Sequence, residues 1–174
     1  MNITVFCSAY SLDDRYSAPA AEFARLLGEG GHTLVWGGSN AGLMGLLADG
    51  VKAAGGKLVG VMVEMLKHKG YDGADELVMT RDLAERKAEL AARADAIVVL
   101  VGGLGTLDEV TEVLELKKHG MFEKPVVVLD SEGFYSGLRT QLERMDDEGF
   151  LPRALGDLIS FADTPAEVFA QLKA

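Results

Sequence analysis

The stretch "DAIVVLVGGLGTLDEV" (residues 95–110) decides the fold. Its first half, 95–101, is an apolar, β-branched run without alternation, the pattern of a strand buried on both faces. Three glycines within four residues follow, and then Thr106 opens a helical stretch, 106–120, closed by basic residues and Gly120. Strand, glycine turn and helix in direct succession form half of a βαβ unit. The same alternation extends in both directions. Strands are expected at 2–7, 32–38, 57–63, 76–80, 124–130 and 157–162. Helices are expected at 18–31, 41–56, 81–94, 133–149 and 164–174, the last with Thr164 as N-cap and Pro165 at N1. Continuous apolar strands alternating with amphipathic helices predict an α/β parallel sheet covered on both faces. The 174 residues suit a single domain, 1–174, without repeat, linker or low-complexity tract.

Composition narrows the function classes. A formal charge of −10 speaks against nucleic-acid binding, which needs a basic surface. No apolar run approaches the ~20 residues that span a bilayer, so no membrane association is expected. Met1–Cys7 lacks the basic flank and long apolar core of a signal peptide and reads as an immediate strand. The single cysteine, Cys7, fits a reducing, cytoplasmic setting. His32, His68 and His119 have no ligand spacing between them, so no metal is expected. Lys67, Lys69, Arg81, Arg86, Lys87 and Arg93 concentrate positive charge mid-chain, as a solvated helix face or as a pocket for a small anion.

In parallel sheets ligands bind beyond the carboxyl ends of strands, near a topological switch point. The loops to weigh are therefore Ser8–Asp14, Gly37–Asn40, Glu64–Gly73 and Gly102–Gly105. The last has two readings. Gly102, Gly103 and Gly105 let backbone N–H groups approach a ligand at a helix N-terminus, where Thr106 adds a hydroxyl: a phosphate cradle. Equally, Thr106-Leu107-Asp108-Glu109 fits a T-x-x-E capping box, in which Glu109 folds back on the helix start. Nucleotide fingerprints do not decide between them. There is no G-x-x-x-x-G-K-[ST], and "GLGTLD" lacks the third glycine of the dinucleotide motif. A second glycine loop, "GGSNAGLMG" (37–45), also joins a strand to a helix. Close packing is the simpler account of Gly42 and Gly45.

"GGSNAGLMG", "ERKAEL" (85–90) and "VGGLGTLDEVTE" (101–112), in this order and spacing, resemble the LOG (LONELY GUY) family. These are cytokinin riboside 5′-monophosphate phosphoribohydrolases and proteins often labelled lysine decarboxylase-like. The family pattern is G-G-G-x-x-G-L-M-G, then R-K, then P-G-G-x-G-T-x-x-E. The resemblance covers nearly the whole chain, through "GFLPRAL" and "ADTPAEVF". It implies a Rossmann-like, doubly wound α/β fold and a homodimer, to which the small-residue helix 41–54 could contribute a close-packing face. It also implies hydrolysis of a nucleoside 5′-monophosphate, AMP or an N6-substituted AMP, to free base and ribose 5-phosphate without a cofactor. By the same resemblance the phosphate lies on Gly102, Gly103, Gly105 and Thr106, and Arg86 and Glu109 form the catalytic pair. Lys87, Ser8, Gly38, Asn40 and Glu112 are further candidate substrate contacts. The residue types suit the chemistry. Cleaving a ribosyl C–N bond develops positive charge on the sugar, which a carboxylate stabilises, or that carboxylate takes a proton from water. Arginine's forked donors bridge carboxylate and substrate oxygens.

The chain departs from the pattern at Val101 for proline, Ser39 for the third glycine, Leu83 for methionine, and Cys7-Ser8-Ala9-Tyr10 for C-G-S-S. The reaction type carries over better than the base specificity. Tyr10, Ser39 and Val101 also motivate an alternative, a non-catalytic nucleotide- or phosphate-binding module. Lysine decarboxylation is not expected, because it depends on a pyridoxal-phosphate lysine for which a chain this short shows no site.

Overall fold

The computed structural model describes residues 1–172, so the last two residues of the expected helix 164–174 lie outside the described residues. Seven strands, β1 (Asn2–Phe6), β2 (Thr33–Trp36), β3 (Lys57–Val63), β4 (Glu76–Thr80), β5 (Ala96–Val99), β6 (Val126–Leu129) and β7 (Ser160–Ala162), form one sheet. Its order is β4-β3-β2-β1-β5-β6-β7 and every pairing is parallel. The chain runs outward from β1 to β4 and then returns to place β5 against β1, with Thr4 opposite Ile97 and Phe6 opposite Val99. The switch point thus lies between β1 and β5. The loops that follow these two strands open side by side there.

Seven helices cover the sheet: α1 (Asp14–Glu29), α2 (Gly42–Ala53), α3 (Leu83–Arg93), α4 (Leu104–Lys118), α5 (Ser136–Asp147), α6 (Leu155–Leu158) and α7 (Pro165–Leu172). Alternate strand residues enter two cores. Ile3, Val5, Leu34, Trp36 and Val98 pack with Phe23 and Leu27 of α1, Leu43 and Leu47 of α2 and Phe169 of α7. Phe6, Val35, Ile97 and Val99 pack with Leu90 of α3, Val110 and Val113 of α4 and Leu142 of α5. The doubly wound α/β expectation holds.

Several boundaries differ, each for a local reason. Helix α1 starts at Asp14, ahead of the expected residue 18. Asp13 caps it by accepting from the Arg15 N–H, and Pro19 is carried inside the second turn. The segment expected as strand 157–162 begins as α6, and β7 takes only its last three residues. The 64–73 loop contains a 3₁₀ turn, Glu64–Lys69. Most consequentially, α4 starts at Leu104, two residues earlier than expected, with Gly103 at the N-cap.

The small residues of α2 are taken up within the chain. A Cβ on Gly50 would stand 2.9 Å from Ala24 of α1, and Gly28 of α1 lies against Ala54. Gly42, at φ +54°, lies against the Tyr10 backbone, and Gly45 against the Asn40 carbonyl. Gly42 and Gly45 thus serve close packing, as expected.

Candidate active site

A cavity of about 490 Å³ opens at the switch point, between the loops after β1 and β5. Cys7, Ser8 and Tyr10 line it from one side, and Gly103, Leu104, Gly105, Thr106 and Glu109 from the other, with Arg86 and Met44 completing the wall.

Each side is fixed by the fold. The Ser8 N–H donates to the Val101 carbonyl at 3.0 Å, tying the two loops together. Helix α3, which carries Arg86, is capped by Asp82, whose carboxylate accepts from the Glu85 N–H at 2.8 Å. Its far end is pinned by buried Thr4, whose hydroxyl donates to the Leu90 carbonyl at 2.9 Å. Beneath the glycine loop, the Tyr135 hydroxyl donates to the Leu100 carbonyl at 2.8 Å. Burial raises the Tyr135 phenol above its ordinary range, and it stays neutral.

The glycine loop divides its labour. Gly102 does not line the cavity; it is the packing glycine, because a Cβ there would collide with the Thr106 side chain. At Gly103 and Gly105 a Cβ would meet nothing within 4 Å, so these two face open space. Gly103 brings no capping side chain and the first turn of α4 has no acid. The first N–H groups of α4, from Leu104 to Thr106, are therefore left for an anion, where the helix dipole also favours one. Thr106 sits inside the helix, so the T-x-x-E capping box is not formed.

Glu109 points elsewhere. Its Oε1 accepts from Arg86 Nη2 at 3.0 Å, and the two side chains are only 9% and 14% exposed. Burial pushes the Glu109 carboxyl up to about 7 against the opposing pull of the Arg86 guanidinium. The guanidinium lies against Gly37, where a Cβ would come within 2.8 Å of Nη2, so the first glycine loop makes room for this arginine. Arg86 Nε is buried without a partner among the described residues. Cys7 also lines the site. Burial and the nearby Glu109 hold its thiol well above the usual range, so it is protonated and a poor nucleophile.

The other candidate contacts are distributed differently. Lys87 pairs with Asp108 at 3.0 Å and with Glu112, bridging α3 to α4 outside the cavity lining. These hydrogen bonds, Glu112 first, raise its pKa. Ser8 lines the cavity, and its hydroxyl accepts from the Tyr10 N–H at 3.0 Å. Gly38 and Asn40 are zipped to the loop after β3: Tyr71 N–H donates to the Gly38 carbonyl and Asn40 N–H to the Lys69 carbonyl. Neither lines the cavity. Met44 and Leu104 were not singled out as contacts. Met44's place in an apolar helix gives no hint of it, whereas Leu104, between two glycines, sits where a wall residue must.

A family model described as "Possible lysine decarboxylase" matches residues 44–172. A cytokinin riboside 5′-monophosphate phosphoribohydrolase of Mycobacterium marinum is 36% identical over 163 residues, 92% of this chain and 87% of that one. The chain belongs to the LOG family. LOG5 of Arabidopsis thaliana, named for the same activity, is 34% identical over 99% of this LOG-family chain and 77% of its own length. Among solved structures, the molybdenum cofactor binding protein of Rippkaea orientalis superposes with a TM-score of 0.78 at 23% identity, covering 99% of this chain and 94% of that one. The molybdenum cofactor carrier protein of Chlamydomonas reinhardtii gives 0.74 at 26%, covering 99% and 95%. The fold of this LOG-family chain is thus shared with cofactor carriers. Its described residues include no helix long and apolar enough to cross a membrane.

Proposed function

We propose that this protein hydrolyses the N-glycosidic bond of a nucleoside 5′-monophosphate, releasing the base and ribose 5-phosphate. The observation that carries this reading is the buried Arg86–Glu109 pair beside the uncapped start of α4. The phosphate docks on the N–H groups of the first turn of α4. Glu109 lies three residues beyond Thr106 on the same helix, within reach of the ribose of a substrate so held. As the C1′–N bond breaks, its electron pair leaves with the base and positive charge grows on the ribose. The Glu109 carboxylate stabilises that charge and takes a proton from the water that attacks C1′. The departing base gains a proton, so the products balance. Arg86 orients the carboxylate and favours its ionised form, and its remaining donors face substrate oxygens.

The relatives named for phosphoribohydrolase activity support this reading over a binding module, as does the retention of both Arg86 and Glu109. Pyridoxal-phosphate chemistry does not fit these residues. It needs a lysine in the pocket, and no lysine lines this cavity, Lys87 being held by Asp108 and Glu112. Incubation with AMP and N6-substituted AMPs, assayed for ribose 5-phosphate, tests the proposal. Full activity in both Arg86→Ala and Glu109→Ala would remove the assigned roles. We also infer a homodimer, from the family resemblance and the small-residue helix 41–54, and a cytoplasmic setting, from the single cysteine. A monomeric mass at micromolar concentration would overturn the dimer.

A further inference from the structure

Of the large hydrophobic side chains among the described residues, the two most exposed are Leu104, at 86%, and Tyr10, at 79%. Both line the cavity that holds Glu109, one from each loop at the switch point. Single exposed apolar residues need no explanation, but two such residues lining one cavity, one from each of its loops, do. Tyr10 is also rigidly mounted. Its N–H donates to Ser8 Oγ at 3.0 Å, its carbonyl accepts from the Leu43 N–H at 3.1 Å, and glycine at 42 lets α2 press against its backbone. Its ring, by contrast, stacks on no other ring and its hydroxyl bonds to no group among the described residues. A fixed backbone carrying an unpacked aromatic face is a stacking platform.

The rest of the lining shows what that platform reads. Asn, Gln and His, which pair with base edges, are absent from it. Arg86 Nη2 is engaged with Glu109, the other Arg86 donors are assigned to substrate oxygens in the proposed reaction, and the remaining polar side chains are three hydroxyls and the buried Cys7 thiol. We propose that Tyr10 and Leu104 clamp the base of the nucleotide by its faces, so that the site accepts purine nucleoside 5′-monophosphates as a class. This rests on the hydrolase reading above and specifies its substrate. Every base has a π-face, so stacking is tolerant of edge chemistry. A site that hydrogen-bonds an edge rejects the wrong group by roughly 10⁴- to 10⁵-fold, whereas apolar contact discriminates by only about 10- to 200-fold.

The test is steady-state hydrolysis of AMP, GMP and IMP by the wild-type protein, Tyr10→Ala, Tyr10→Phe and Leu104→Ala, with ribose 5-phosphate as a base-free product inhibitor. The expected result is a kcat/KM for the three purines within about tenfold of one another. Tyr10→Ala raises KM for all three by roughly tenfold at little-changed kcat. Tyr10→Phe recovers the wild-type KM, Leu104→Ala raises it, and inhibition by ribose 5-phosphate is the same throughout. A preference beyond about 200-fold for one purine, or unchanged KM values in Tyr10→Ala, would overturn the clamp. So would an equal loss of ribose 5-phosphate binding, which would mean a distorted loop. AMP binding to Glu109→Gln, with and without Tyr10→Ala, separates this from the hydrolase reading. Binding that needs Tyr10 in a protein that hydrolyses nothing keeps the clamp and removes the hydrolase; no AMP binding at all removes both.

Discussion

Arg86 Nη2 donates to Glu109 Oε1 at 3.0 Å across 23 residues of sequence, from α3 to α4, in a contact almost closed to solvent. Such a pair cannot be a casual surface bridge, because taking both charges out of water is costly unless the geometry is kept. We expect Glu109→Gln, which keeps the shape and removes the charge, to lower kcat by about 10²- to 10⁴-fold while the protein stays folded. Arg86→Lys should not restore what Arg86→Ala loses, because one ammonium cannot serve carboxylate and substrate together. Single-turnover rates with folded protein, checked by circular dichroism, decide this.

The same carboxyl sets the pH profile. Burial holds Glu109 at about 7, and in the proposed reaction the ionised form is the one that stabilises the ribosyl cation. The logarithm of kcat/KM should therefore rise with pH and level off above about 7, and Glu109→Gln should lose that limb. A rate that falls through 7 would instead make Glu109 a general acid.

Stability should move the opposite way. The folded pKa lies above the ordinary 4.5, so the folded state holds its proton through a window in which the unfolded chain releases it. The contribution is fully present below 4.5 and is lost as pH rises to about 7. Its size is of order 3 kcal/mol, from the shift and the energy per pKa unit. Urea denaturation of wild-type protein and Glu109→Gln at pH 5 and pH 8 should show the difference between them changing by this order. An unchanged difference would mean that Glu109 titrates normally.

How far these features could be read in advance depends on whether they are local. The apolar run Ala96–Val99 and its counterparts announce buried strands by themselves, and the alternation with helices then leaves the parallel sheet as the economical solution. The motif residues Arg86 and Glu109 were legible through their pattern. Their contact, which the resemblance implies, is made by the crossover that brings α3 beside α4. Thr106 is a good N-cap in isolation, so the local sequence points to a helix start two residues later than the one observed. What overrides that preference is the packing of Thr106 on Gly102, which draws the helix start back to Leu104. Gly38 and Asn40 flank Ser39, whose bridge to Gly70 joins loops 31 residues apart in sequence, a tie invisible to any local pattern. The small residues of α2 that a local pattern leaves unassigned meet α1, the Tyr10 backbone and the Asn40 carbonyl within the chain.

Lys87 marks the boundary of the site. It is adjacent to Arg86 in sequence, yet its ammonium is held between Asp108 and Glu112 on the α4 surface. Lys87→Ala should change kcat/KM by less than about tenfold and stability by roughly 1 kcal/mol or less, in keeping with a largely surface bridge. A loss comparable to that of Arg86→Ala would place Lys87 on the substrate. Parallel kinetics of the two variants distinguish these outcomes.

The glycines of the α4 turn give a test that separates folding from binding. Alanine at 102 would push its methyl into Thr106, a β-branched side chain inside a helix with little freedom to yield, and should cost roughly 1–3 kcal/mol. Alanine at 105 meets no protein atom within 4 Å. It replaces glycine in the first turn of a helix, so it should leave stability unchanged or raise it by up to about 0.5 kcal/mol. If the first turn of α4 holds the phosphate, that same methyl intrudes on the space the ligand needs. Gly105→Ala should then raise KM and weaken inhibition by ribose 5-phosphate in a protein at least as stable as the wild type. Retention of both binding constants in Gly105→Ala would move the phosphate away from this helix start, since no folding defect could then be blamed. Thermal denaturation beside inhibition kinetics on the two alanine variants therefore tells a cradle from a turn.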